Sequence, residues 1–157
     1  MKTAAQLMRR SNLSIIFRVV CDRTKLGQVI VVTGSSRRLG AWNPLQGLYL
    51  RTNSKDWPIW RSEPVSVEQI FQGLQTPPLL EYKYVIVDQS EPSSITSNWE
   101  DFQGNRKVLL TKDSAKGSGL IKVRDIFNKL DGREKIVAPV NPPKLLIPTD
   151  ENMRTQS

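Results

Sequence analysis

The chain contains no histidine, which removes the commonest general base and the commonest metal ligand. Its single cysteine, Cys21, excludes an internal disulfide and any paired-cysteine zinc site. Lying at the end of the apolar run SIIFRVVC, Cys21 reads as a small buried hydrophobe. No apolar run approaches the ~18 residues that a membrane-spanning helix needs. The basic start, MKTAAQLMRRSN, has no apolar core behind it and does not read as a secretory signal, leaving a transit-peptide end or a linker as alternatives. Paired carboxylates are missing too. Asp22, Asp56, Glu68, Glu81, Asp88 and Asp101 stand singly, without the context of a glycosidase. Without histidine there is no Ser–His or Cys–His nucleophile. Gly34-Ser35-Ser36 lacks the spacing and the following helix of a phosphate loop. Catalysis, a metal and a cofactor are therefore not expected.

What is present is β-strand. The 157 residues are 38% hydrophobic with a net charge of +8, enough for one domain with unpacked tails. Residues 14–23 form a first strand with Phe17 and Val19 on one face, and the Val29–Val32 strand is expected to pair back on it. Leu48–Leu50 gives a short third strand. Val65, Val67, Ile70 and Phe71 suggest a further strand running into a loop at Gly73. The clearest alternation is LEYKYVIV, with Leu80, Tyr82, Tyr84 and Ile86 on one face and Glu81, Lys83 and Val85 on the other. Arg106–Leu110 and Leu120–Phe127 complete the set, although the last fits an amphipathic helix almost as well. No helix is evident before Gly117. Seven to eight short strands between Gly, Pro, Ser and Asn turns predict an all-β fold, an antiparallel sandwich or open barrel.

Four tryptophans need places. Trp60, in an apolar strand, reads as core. Trp42 and Trp99 follow turns and have polar neighbours, so each is expected at a rim with one face open. An exposed indole is a stacking platform for a nucleobase or for the C–H face of a sugar. Lys83, Glu100 and Asn105 stand close in sequence to these tryptophans and can hydrogen-bond hydroxyls.

The run VVTGSSRRLGAWNP, then WPIW, EYKYVIV, and WE followed by GNR resembles the family-20 carbohydrate-binding module, the starch-binding domain, over roughly residues 14–127. The resemblance implies an immunoglobulin-like β-sandwich that binds α-1,4-glucans without hydrolysing them. It implies a first site of Trp42, Lys83 and Trp99, with Asn105 and Glu100 as further sugar contacts. The second site of the family looks degraded. Leu26 and Asn53 stand where stacking tyrosines are usual, leaving Trp60 and Trp57 as possible remnants.

The expected layout is an N-terminal extension over 1–13, the binding domain over 14–130 and a Pro-rich flexible tail over 131–157 with an apolar KLLI patch. The expected ligands are starch, amylopectin, glycogen, maltooligosaccharides and cyclodextrin. The tail would join or recruit a glucan-metabolising enzyme such as an amylase, a glucan phosphatase or a dikinase. A scaffold protein acting through that tail is the alternative. A single-stranded nucleic-acid binder is a weaker one, because the basic residues form no groove-like run beside Trp42 and Trp99. Arg37 and Arg38 beside the first platform residue would suit phosphorylated glucan. The lone cysteine favours a reducing, intracellular compartment such as cytoplasm or plastid.

Overall fold

Two sheets face each other across one apolar core in a computed structural model that describes residues 12–74, 79–110, 118–130 and 135–137. The strands are β1 (Asn12–Val20), β2 (Gln28–Gly34), β3 (Leu48–Tyr49), β4 (Ile59–Arg61), β5 (Val65–Ser66), β6 (Leu79–Asp88), β7 (Thr96–Trp99), β8 (Arg106–Leu110), β9 (Ser118–Ile126) and β10 (Lys135–Val137). Helix α1 spans Val67–Phe71, and two 3-10 turns, Arg37–Trp42 and Pro44–Gln46, follow β2.

In the first sheet, β1 has β4 and β5 antiparallel to it and β9 parallel to it along its whole length. In the second, the order is β10-β8-β6-β2-β3, with β7 also paired to β6. Alternation sets the two faces of each strand. Leu13, Ile15, Phe17 and Val19 of β1 meet Leu80, Tyr82 and Tyr84 of β6 inside, with the Phe17 and Tyr82 rings edge to face at 5.3 Å. Cys21 is buried, and burial pushes its thiol pKa up. The sandwich is mostly antiparallel and does not close into a barrel.

Several expectations change. β2 pairs with β3 and β6, not with β1, so the first two strands lie in different sheets. Val67–Phe71 is a helical turn rather than strand, because Val67, Ile70 and Phe71 fall on one buried face at helical spacing. The last strand is found as expected, over Ser118–Ile126, and the helical alternative falls because β1 offers a nine-residue parallel ladder. Lys135–Val137, placed in the tail, instead pairs in parallel with Val108–Leu110. Residues 12 and 13 likewise belong to β1. The remaining N-terminal residues and the tail from residue 138, including the KLLI patch, lie outside the described residues.

Candidate functional site

The site begins where β2 ends. Ser36 closes the turn by accepting a hydrogen bond from the Arg38 N–H at 3.1 Å, and the Thr33 hydroxyl donates to the Leu39 carbonyl at 2.6 Å. Gly40 has φ +82°, and a Cβ there would lie 2.7 Å from the Gln46 carbonyl carbon, so only glycine fits. Ala41 and Trp42 continue in the same left-handed region at φ +48° and +72°. A bulky residue at positive φ is an outlier that costs about 1–3 kcal/mol and persists only when its surroundings impose it. That cost falls on the residue that presents an indole to the surface.

The partner indole comes from β7. Register pairs Trp99 with Val85 and Val85 with Val31, so all three occupy the outer face of the second sheet. Val31 and Val85 are fully buried there, whereas Trp99 is 39% exposed. The Trp42 and Trp99 ring centroids are 6.5 Å apart with their planes inclined by 34°. The two rings form a bent apolar shelf.

Polar groups border the shelf. Lys83 precedes Val85 by two residues and so shares its face. Its Nζ donates to the Phe102 carbonyl at 3.0 Å and lies 4.8 Å from the Phe102 ring centroid. An ammonium has three donors, so two remain for a ligand. Tyr82 pairs with Arg106, and the same register carries Asn105 opposite Lys83. The Asn105 Nδ2 donates to Glu81 Oε1 at 3.1 Å, leaving its carbonyl oxygen available.

Glu100 is different and corrects the expectation. It is only 2% exposed, and both carboxylate oxygens are occupied. Oε1 accepts from the Tyr84 N–H and from Arg106 Nε, each at 3.0 Å. Oε2 accepts from Arg106 Nη2 and from the Asn128 N–H at 2.9 Å. No oxygen is left for a sugar hydroxyl. Glu100 instead anchors the end of the strand that carries Trp99.

That anchor belongs to a buried network. Arg106 Nη1 donates to Asp125 at 3.2 Å, and Asp125 Oδ2 accepts from the Tyr82 and Tyr84 hydroxyls at 2.8 Å each. Burial works against the Arg106 charge, but its bonds to Glu100 and the nearby Asp125 outweigh that and hold its pKa above the usual range. Burial, followed by Asp125, pushes both tyrosines well above the ordinary phenol value. The signal for this network was an acid on a core face. Asp125 sits between Val123 and Phe127 in the inward alternation of β9.

The second-site candidates separate. Trp60 is 6% exposed and packs in the core, with no partner for its buried indole N–H among the described residues. Trp57 is 47% exposed, and its Nε1 lies 3.4 Å from the Thr24 hydroxyl. Leu26 is fully exposed nearby in sequence, and the Asn53 side chain is engaged in turn hydrogen bonds to Lys55 and Asp56. The structure does not build a second aromatic pair from these residues. Among the described residues, no cluster of acids and cysteine could hold a metal.

Residues 12–119 match the family described as starch binding domain. An alpha-amylase of Thermomonospora curvata is 36% identical over 74 residues, covering 45% of this chain and 10% of the amylase. A putative glycerophosphocholine phosphodiesterase homolog of Caenorhabditis elegans is 26% identical over 132 residues, covering 76% of this chain and 18% of that protein. The chain thus spans less than a fifth of either relative. Among solved structures, the glucoamylase of Hypocrea jecorina superposes with a TM-score of 0.52 at 21% identity, over 74% of this chain and 17% of the glucoamylase. The gamma-CGTase of alkalophilic Bacillus clarkii gives 0.52 at 24% identity, over 74% and 15%. These two likenesses show the sandwich fold.

Proposed function

The chain belongs to the starch-binding domain family, and from that premise we propose that Trp42 and Trp99 hold a single α-1,4-glucan segment, assisted by Lys83 and Asn105. Domains of this family bind starch and are not catalytic. The observation that carries the site assignment is the indole pair, 6.5 Å apart and inclined by 34°. Two tilted faces follow the curvature of an α-glucan, which also admits glycogen, maltooligosaccharides and cyclodextrin, whereas a flat cellulose chain would touch only one. The Lys83 ammonium and the Asn105 carbonyl oxygen supply the hydrogen bonds that orient the sugar between the rings. Neither this pair nor any other polar group at the shelf offers an acid–base couple, so the chain's role is attachment rather than hydrolysis.

Two stacks and a few solvated hydrogen bonds correspond to millimolar to micromolar affinity. Retention on a granule then needs many neighbouring glucan chains or a second module. Co-sedimentation with granular starch tests the assignment. Wild type should pellet and be displaced by β-cyclodextrin, whereas W42A and W99A should remain in the supernatant. Wild-type protein that is folded yet unbound would sink it. The attachment would serve an enzymatic activity, fused or recruited through residues after Ala138. Their deletion should abolish recruitment and leave starch binding unchanged.

A further inference from the structure

The strand that carries Trp99 has a second side. Alternation along β7 turns Trp99 to the shelf and Asn98 to the opposite face, where register sets Asn98 beside Ile86. That face opens at the end of the sandwich, towards the loop that follows β1. A cleft of about 370 Å³ lies there. Ile86 and Phe127, both buried, form its floor, and the exposed side chains of Arg23, Lys25, Asn98 and Asp101 line its walls. Trp99 lines it as well, so the shelf and the cleft meet at one residue.

The walls are held in place, but their end groups are not spent. The Asp101 N–H donates to Asn128 Oδ1 at 2.9 Å, and the Asn128 N–H is in turn held by Glu100. The buried network thus fixes this rim too. Gln28 spends its side chain on the Lys25 N–H at 2.9 Å and on Asp88 at 3.2 Å. The Arg23 guanidinium stands 6.0 Å from the centre of the Phe127 ring. Among the described residues, the side chains of Arg23, Asn98 and Asp101 have no hydrogen-bond or ion-pair partner. A guanidinium only donates, a carboxylate only accepts, and an amide does both. The cleft therefore offers donors and acceptors around an apolar floor.

We propose that this cleft binds the terminal glucose of a linear α-glucan whose neighbouring units lie on the tryptophan shelf. Such end recognition rests on Trp42 and Trp99 serving as the glucan shelf. A phosphate or carboxylate in the cleft would meet Asp101, and an apolar group would leave the polar walls without partners. A sugar suits both. Its hydroxyls donate to Asp101 and accept from Arg23 and Asn98, while a C–H face rests on the floor. Size makes that sugar a terminal one. The volume is at the small end of ligand sites, and Ile86 and Phe127 close the cleft behind, so a chain enters without passing through. A closed ring such as β-cyclodextrin can cover the shelf but has no end to insert.

Calorimetric titration of the full chain with maltoheptaose and with β-cyclodextrin tests this, because the two have the same number of glucose units and only maltoheptaose has ends. R23M/D101A should weaken maltoheptaose binding about tenfold and leave β-cyclodextrin binding unchanged. W42A should weaken both. Circular dichroism checks the fold. Should the double variant not fold, N98A, on the exposed strand β7, is expected to lower maltoheptaose affinity several-fold, again without effect on β-cyclodextrin. Unchanged maltoheptaose affinity in folded R23M/D101A overturns the proposal, and so does an equal loss with both ligands. Loss in W42A without loss in R23M/D101A removes the cleft and keeps the shelf. No loss in W42A with either ligand removes the shelf, and the cleft assignment with it, so the two failures are told apart.

Discussion

Trp99 and Glu100 are neighbours in the chain with opposite surroundings. Trp99 is 39% exposed and, among the described residues, has Trp42 as its ring partner, whereas Glu100 is 2% exposed with both oxygens bonded. The shelf and the network beneath it divide the work. The shelf leaves apolar surface unsatisfied so that a ligand can cover it. The network satisfies every charge so that the strand ends below the shelf do not move. Residues that bind are therefore expected to cost little stability when removed, and residues that hold them are expected to cost much.

The largest effect should come from Arg106→Met. It leaves Glu100 and Asp125 as buried carboxylates without their cation, a defect worth about 3–5 kcal/mol. Urea unfolding would measure it, and an unchanged midpoint would erase the division. Trp42→Ala and Trp99→Ala should each weaken glucan binding by about 1–3 kcal/mol, on the scale of base–aromatic stacking, while moving the unfolding midpoint far less than Arg106→Met does. Titration of maltoheptaose by calorimetry gives the first quantity and denaturation the second. Tyr82→Phe removes one hydrogen bond to Asp125 and should cost about 1–2 kcal/mol of stability with no change in glucan affinity.

The same phenols give a pH signature. Both tyrosines have folded-state pKa values raised well above 10, so folding favours their protonated forms. Their contribution is complete below the ordinary phenol pKa of about 10 and is lost as pH rises from there towards the raised folded-state values. Stability should fall above that point, and Tyr82→Phe should flatten the decline. The smallest effect is expected for Asn105→Ala, a few-fold loss of maltoheptaose affinity from one solvated hydrogen bond, with the fold intact.

The parts of this molecule that depend on local pattern were legible in the sequence. The alternation of Leu80, Tyr82, Tyr84 and Ile86 announced β6, and the turn residues around Gly40 placed Trp42 at a rim. The motif order from the LGAW turn to GNR pointed to the family. What was not legible depends on partners remote in sequence. Nothing local states that β2 seeks β6 rather than β1. Val67–Phe71 is too short for a helical period to stand out from an apolar strand. Glu100 looks like any surface acid until Arg106 and the Tyr84 backbone N–H are seen to enclose it. Asp125 did carry a signal, an acid on the inward side of a strand.

The inclination of the two shelf indoles also has an optical consequence. Rings 6.5 Å apart and rotated by 34° are not parallel, so their electronic transitions couple with a handedness, and the pair forms a chiral chromophore that neither tryptophan forms alone. The unliganded chain should therefore show an exciton couplet in circular dichroism, superimposed on the β-sheet signal. The couplet reads the angle between the rings without any label, and it disappears when either ring is removed.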